Sequence, residues 1–388
     1  MVQSMPDASP AKWHLAHTTW FFEEFVLAPF DPSHRWDDER WRVLFNSYYE
    51  GVGPQHTRSA RGLLSRPSLA EVRAWRRSVD DRMAALLARA DDAALAVTLL
   101  GTHHEEQHQE LILADIKHAL WSNPIHPPYT SDAPTDRASD AAASLPLVWT
   151  AFDEALVDIG ADGAAFAFDN ETPRHRGLVE GFSLASRPVT NAEYAAFIAD
   201  GGYEKTGLWL SDGWAAVQAG RWRAPLYWDA DDGSPRERRV FGLRGWRPIE
   251  PEAPVCHVSF FEADAYARWA EARLPTENEW EAAAQGRPVD GNFVESGRWS
   301  PAPAMGPGVA QLFGDVWEWT ASAYLPYPRF RPLGGPLGEY NGKFMSGQMV
   351  LRGGSCFSPR DHLRATYRNF FAPGARWQMS GFRLARDI

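Results

Sequence analysis

Cysteine is nearly missing: Cys256 and Cys356 are the only two in 388 residues. Two thiols exclude a disulfide framework and fit a reducing compartment. Positive charge is also short, with 39 Lys and Arg against 50 Asp and Glu, a formal net charge of -11. A nucleic acid or an anionic membrane would call for a basic surface, so neither is expected as a partner. The chain holds no run of 18 apolar residues and no charged-then-apolar secretory start, and a cytoplasmic protein is expected. Internal repeats at solenoid periods are absent as well. Tryptophan, in contrast, is plentiful: 18 residues spread along the whole chain. Such a pattern suits either loop-rich cores or an aromatic-lined pocket.

Three helical stretches come first. Apolar positions recur at three and four over residues 11–27, behind Ser9-Pro10, which reads as an N-cap followed by proline at the first helical position. Residues 30–67 form a long connection without a regular pattern of its own, and its aromatic load argues against disorder. Ser68 and Glu71 spell a capping box that opens a helix to about residue 90, and a third helix covers residues 93–121. Together these suggest an up-and-down bundle over residues 1–125. Residues 126–145 are proline-rich and small, a linker. From 146 to 388 short apolar runs alternate with Gly, Pro, Asp and Asn, which predicts an α+β module of low regular content. Its helices are expected after the Thr190–Glu193 capping box, over residues 261–272, and after Pro275.

The stretch that carries chemistry is Gly101-Thr-His-His-Glu-Glu-Gln-His-Gln-Glu on the third helix. His104 and His108 are four apart, so both imidazoles share one helix face, one turn apart. That spacing suits two ligands of one metal ion, although a solvated polar face would account for it equally well. The segment His104-Glu-Glu-Gln-His108 also matches the H-E-x-x-H string of zinc peptidases, whose glutamate is a general base. The third ligand of those enzymes is missing: Ala114 stands six residues after His108, and no suitable glutamate follows downstream.

The second half decides between these readings. Pro188-Val-Thr-Asn-Ala-Glu-Tyr, Pro254-Val-Cys-His-Val-Ser, Arg273-Leu-Pro-Thr-Glu-Asn-Glu-Trp-Glu, Gly314-Asp-Val-Trp-Glu-Trp-Thr and Leu351-Arg-Gly-Gly-Ser follow one another behind Gly181-Phe-Ser-Leu-Ala. This order closely resembles the formylglycine-generating-enzyme family, which implies a C-type-lectin-like α+β module. Those enzymes use a cysteine pair after the Arg-Gly-Gly-Ser motif; here only Cys356 follows, so their activity is not expected.

With Trp13-His-Leu-Ala-His-Thr-Thr-Trp, Leu44-Phe-Asn-Ser-Tyr-Tyr, the histidine helix and the closing Tyr367-Arg-Asn-Phe-Phe-Ala-Pro-Gly, nearly the whole chain resembles the iron-dependent sulfoxide synthases of ergothioneine biosynthesis, hercynine oxygenases of the EgtB type. The resemblance implies a DinB-like helical bundle ahead of the lectin-like module, with Fe(II) held by His17, His104 and His108 and O2 as co-substrate. His14 and His103 fall at positions that the family does not use for metal, and read as structural or supporting residues. Three neutral imidazoles leave Fe(II) its full charge and three open positions, which suits a substrate thiolate, a substrate imidazole and dioxygen. By the same resemblance Gln107 and Asn369 hold hercynine, Phe370 and Phe371 wall its trimethylammonium group, and Arg58 and Arg61 bind the carboxylate of the sulfur donor. The two arginines read otherwise as loop-surface charge. Tyr48 and Tyr49 are the candidate proton donors, since a phenol stays protonated at neutral pH.

Members that use γ-glutamylcysteine carry an acidic residue and an arginine four apart just after the hercynine-binding asparagine. This sequence has Phe371 and Ala375 there, with Arg376 one residue off, and free cysteine is the expected donor. The alternatives are a selenoneine synthase, an ovothiol-type 5-histidylcysteine sulfoxide synthase, an H-E-x-x-H zinc hydrolase and a non-catalytic binding protein. The ovothiol branch usually adds a methyltransferase domain, whereas this sequence reaches Ile388 directly after the lectin-like module.

Overall fold

The computed structural model describes residues 2–132, 145–229 and 238–388. They form two compact units: one runs to Asn123 and adds Arg331–Lys343, and the other takes Pro124–Phe330 and Phe344–Ile388. The sequence reading made 146–388 one continuous module, so the grouping of 331–343 with the helical unit is a difference, and no local signal in that glycine- and proline-rich stretch announces it. Most of the expected linker, residues 133–144, lies outside the described residues.

The helical unit is built from α1 (Ala11–Phe22), α2 (Arg40–Phe45), α3 (Leu69–Leu87) and α4 (Asp92–Trp121). α1 continues through a π-helical turn, Glu23–Leu27, into Ala28–Phe30. It packs against each of the other three helices and is buried nearly all round, with Trp13, Trp20 and Phe21 at its heart. Burying each of these rings contributes roughly 1.5–3 kcal/mol relative to leaving it exposed. Ser68 and Glu71 form the expected capping box of α3, and Asp91 caps α4 by accepting from Ala94 N–H at 2.8 Å. Two expectations change. Pro10, with ψ 142°, is itself the cap residue of α1 and lies outside the helix, because Ser9 donates its N–H to Asp115 and its hydroxyl oxygen accepts from Arg61. The connection over 30–67 is also not devoid of structure: it contains α2 and a 3-10 turn, Arg58–Leu63.

Gly101 sets the distance between α1 and α4. A Cβ there would stand 2.7 Å from a ring carbon of Phe22 and 2.9 Å from one of Phe21. Any larger residue would push the helices apart, at the level where their histidines meet.

The second unit mixes short strands and helices. A four-stranded sheet runs in the order Asn369–Phe371, Met349–Arg352, Trp317–Ala323, Ser380–Gly381, and a three-stranded sheet in the order Trp149–Phe152, Phe182–Ala185, Ala385–Asp387. Three two-stranded ribbons complete the sheets among the described residues. Helices Asn191–Ala199, Phe260–Trp269 and Glu277–Ala284 each begin with a Ser or Thr capping box. Helix Ser211–Gly220 was not foreseen; it begins after Leu210 without a side-chain cap, so the usual start signal is missing.

The ordered motifs of this unit turn out to be its internal struts. Arg352 of the Arg-Gly-Gly-Ser motif donates to Glu277 at 3.0 Å and Glu281 at 2.9 Å. Arg368 meets Glu277 at 2.8 Å, and Arg383 makes two bonds of 2.6 Å to Glu318, which also accepts from Trp280 at 2.9 Å. Arg352, Arg383 and Glu318 are wholly buried. In so little regular structure these charge-assisted bonds tie loops to sheet. No helix among the described residues is long and apolar enough to cross a membrane.

Candidate metal centre and substrate-binding residues

His17 reaches the bundle interior from α1, and His104 and His108 reach it from adjacent turns of α4. Ring centroids lie 5.0 Å apart for His17 and His104, 4.8 Å for His17 and His108, and 4.6 Å for His104 and His108. One ring nitrogen from each comes within 4.8 Å of the others. His17 fixes its tautomer by donating Nδ1–H to the carbonyl of Phe45 at 2.6 Å, which leaves Nε2 with a lone pair. Trp13 stacks on one side of the His17 ring at 4.7 Å and Trp20 at 5.5 Å.

Burial is the first cause of the low basicity of all three rings, and neighbouring imidazoles add to it, His14 at His104 and His104 at both His17 and His108. His104 is pushed down to about 3, and His17 and His108 fall well below the ordinary histidine range. The group is therefore neutral at pH 7, three lone-pair donors with no carboxylate among them. Nδ1 of His104 is buried and has no hydrogen-bond partner among the described residues. Leaving such an atom unmade normally costs about 1–3 kcal/mol. A divalent transition metal fits this set: it takes neutral imidazole readily and supplies the missing positive charge.

The chain matches the DinB superfamily over residues 2–120 and the sulfatase-modifying factor enzyme 1-like domain over 153–304 and 297–388. It is 33% identical to the hercynine oxygenase of Mycolicibacterium thermoresistibile, over 99% of this chain and 88% of that protein. Similarity to the hercynine oxygenase of Mycobacterium tuberculosis is 33% as well, over 99% of this chain and 92% of the relative. This chain belongs to the hercynine oxygenase family. It is an oxidoreductase. The formylglycine-generating enzyme of Streptomyces coelicolor is 32% identical over 58% of this chain and 84% of that protein.

Around the triad of this oxygenase-family bundle the expected residues divide. Arg61 is buried and lies 3.4 Å over the Trp13 ring. It donates to Ser9 Oγ at 3.0 Å and Ser47 Oγ at 2.7 Å and has no ion pair among the described residues. Desolvation pushes it down to about 9, and the neighbouring Arg58 adds to the effect. Arg58 donates to the Tyr48 hydroxyl and to the carbonyl of Asp7. Two guanidiniums, one of them buried, thus lie close enough for Arg58 to oppose the charge of Arg61. Surface charge does not describe Arg61.

Tyr48 and Tyr49 point to different surroundings. Tyr48 is half-buried and holds φ at +67°, a left-handed backbone that costs a side-chain-bearing residue about 1–3 kcal/mol. Its carbonyl accepts from Lys343, and its ring lies 6.2 Å from Tyr340. Tyr49 is buried against Phe25 at 4.9 Å and Trp20 at 5.6 Å. Tyr340, whose ring is also 6.4 Å from His104, was missed in the sequence because it comes from the 331–343 segment. Glu339 of the same segment accepts from Glu50 and Gly51 N–H at 2.9 and 2.8 Å and pins the Tyr48 turn.

Gln107 sits on α4 between the two histidines, and His103 turns to Glu106 at 2.8 Å. In the second unit, Asn369, Phe370 and Phe371 form an edge strand of the four-stranded sheet and are half-buried. Phe370 stacks on Tyr324 at 4.1 Å, and Phe371 meets Trp377 edge-on at 5.5 Å. Asn369 Oδ1 accepts from the Phe370 N–H at 2.9 Å.

Proposed function

We propose that this protein joins the sulfur of free cysteine to carbon 2 of the hercynine imidazole, consuming one O2 and releasing the sulfoxide and water. The C–H and S–H hydrogens leave in the water, and the second oxygen atom stays on sulfur. The observation that carries this reading is the convergence of three uncharged imidazoles from α1 and α4. His17, His104 and His108 hold Fe(II), which supplies the one-electron exchange with dioxygen that zinc cannot. Arg58 and Arg61 take the carboxylate of cysteine, whose charge offsets the desolvation of Arg61. Tyr48 delivers a proton from its hydroxyl, which Arg58 orients. Gln107 and Asn369 hold the hercynine, and Phe370 and Phe371 form apolar walls for its trimethylammonium group. Reaction in the cytoplasm suits the two buried thiols.

The donor assignment rests on the loop after Asn369. Arg376, one residue off the position at which the family carries its arginine, is buried, donates to Glu262 at 2.9 Å and stacks 4.2 Å over Trp222. It is committed to the fold. A charged arm beside Phe371 would lose water and gain no partner, at a cost of a few kcal/mol.

Iron content, measured on His17→Ala, His104→Ala, His108→Ala and His103→Ala, tests the metal: the first three lose it and the last keeps about one iron per chain. Oxygen uptake at saturating hercynine then compares kcat/KM for cysteine and γ-glutamylcysteine, with cysteine expected to lead by about a hundredfold. An iron-replete His104→Ala protein would sink the metal assignment, and equal values for the two thiols would sink the donor.

A further inference from the structure

Behind His108 lies a chain of hydrogen bonds that leads away from the triad. His108 Nδ1 is 2.7 Å from His14 Nδ1, His14 Nε2 is 3.0 Å from Asp115 Oδ2, and the same oxygen accepts the Ser9 N–H at 2.7 Å. His14 and Asp115 are both buried. Both lie outside the proposed ligand set, on the two helices that supply it.

The donors and acceptors along this chain can be assigned in one consistent direction. A carboxylate oxygen only accepts, so His14 carries its proton on Nε2 and donates it to Asp115. Nδ1 of a neutral His14 is then an acceptor. Across 2.7 Å it must receive the Nδ1–H of His108, and the His108 lone pair is left on Nε2. If the order were reversed, His108 would carry its proton on Nε2 and could not ligate through that atom. We infer that Asp115 and His14 are positioning residues that set the tautomer of His108 and hold its ring for the metal. His17 has a simpler device for the same purpose, the Phe45 carbonyl. Ser9 anchors the carboxylate from the backbone, which explains why α1 begins one residue later than its Ser-Pro start suggests. The proposal rests on the reading that the triad holds a metal.

The test uses the full-length protein, metal-free and anaerobic, titrated with Co(II) against a competing chelator, with the visible spectrum recorded. His14→Phe keeps a ring but removes the acceptor; its Co(II) affinity should fall roughly tenfold to a hundredfold, with altered d–d bands. His14→Asn, which places an oxygen near the position of Nδ1, should retain more affinity than His14→Phe. Mere packing predicts the reverse order, because phenylalanine fills the space better. Asp115→Asn should weaken binding by several-fold and decides the matter where His14→Phe does not fold. Wild-type affinity and spectrum in the variants, with the wild type binding normally, overturn the inference. Failure of the wild type to bind Co(II) or Fe(II) would instead remove the metal reading beneath it.

Discussion

Both units bury charged and polar side chains, and the most deeply buried arginines of the two differ in what closes them. In the lectin-like unit Arg383 meets Glu318 and Arg352 meets Glu277 and Glu281, each cation closed by carboxylates from another segment. In the helical unit Arg61 is buried over the Trp13 ring, bonded to two hydroxyls and without an ion pair among the described residues, and three imidazoles face one another with no carboxylate among them. Closed pairs fix loops in place. Open ones carry a standing cost that a metal ion and an anionic substrate would relieve. The contrast distinguishes cations closed by a carboxylate, which hold the fold, from groups without one, for which we propose a ligand.

The largest effect should come from opening a closed pair. Arg383→Met leaves Glu318 buried without its partner and should cost about 3–5 kcal/mol in urea unfolding. A loss under 1 kcal/mol would mean that the pair is not the strut it looks like. The same change in the other unit should behave differently. Arg61→Met removes a desolvated charge that has no ion pair among the described residues, so stability should hold or rise, while KM for cysteine rises roughly tenfold to a hundredfold. If unfolding free energy falls instead and KM stays put, Arg61 belongs with the struts.

Titration should separate the units next, by sign. His104 has a folded value of about 3, below the 6.5 of an unfolded histidine. Between these the unfolded chain binds the extra proton, so metal-free protein loses stability as pH falls from 6.5, by at most about 1.4 kcal/mol per pH unit for each such ring. Asp315 in the second unit runs the other way. Burial raises it to about 6 from 3.8, against the bonds it accepts from Asn292, Ala302 and Gln311. Between those values the folded state holds the proton, and its contribution grows as pH falls from 6 to 3.8. Comparing wild type with Asp315→Asn over this range should show the wild type gaining on the variant as pH drops, and a flat difference would contradict the assignment. The smallest effect is expected at Tyr48: Tyr48→Phe should keep iron and substrate binding and shift product by a few-fold from sulfoxide toward oxidised thiol. Product ratios by mass spectrometry settle this, and an unchanged ratio would move the proton donor elsewhere.

Much of this was legible in the residues. Ser68 with Glu71 and Thr190 with Glu193 each open a helix where the capping pattern predicts one, and a helix follows Pro275 as expected, because a cap is a contact between residues three apart. The pairing of His104 with His108 is local in the same sense, set by the pitch of one helix. The helical character of residues 11–27 and 93–121 followed from apolar periodicity. Local rules had less to say about α2 and Ser211–Gly220, which are short and uncapped and owe their helical state to what they pack against.

The tertiary structure decided everything that depends on two distant segments meeting. It brought His17 to the α4 pair, at a spacing that Gly101 permits and Phe21 and Phe22 enforce. It also distinguished two adjacent tyrosines that sequence could not separate, turning Tyr48 toward Arg58 and Tyr49 into the core. Segment 331–343 was drawn into the bundle, so that Glu339 and Lys343 brace the Tyr48 turn. His14, which reads as one more histidine on an apolar helix, became a link between Asp115 and His108. The sequence by itself determined the helices, the ordered motifs and the chemical types available. Which of those groups are closed by a partner and which are left open is set by packing, since the cost of a buried charge depends on what stands within a few ångströms of it in space.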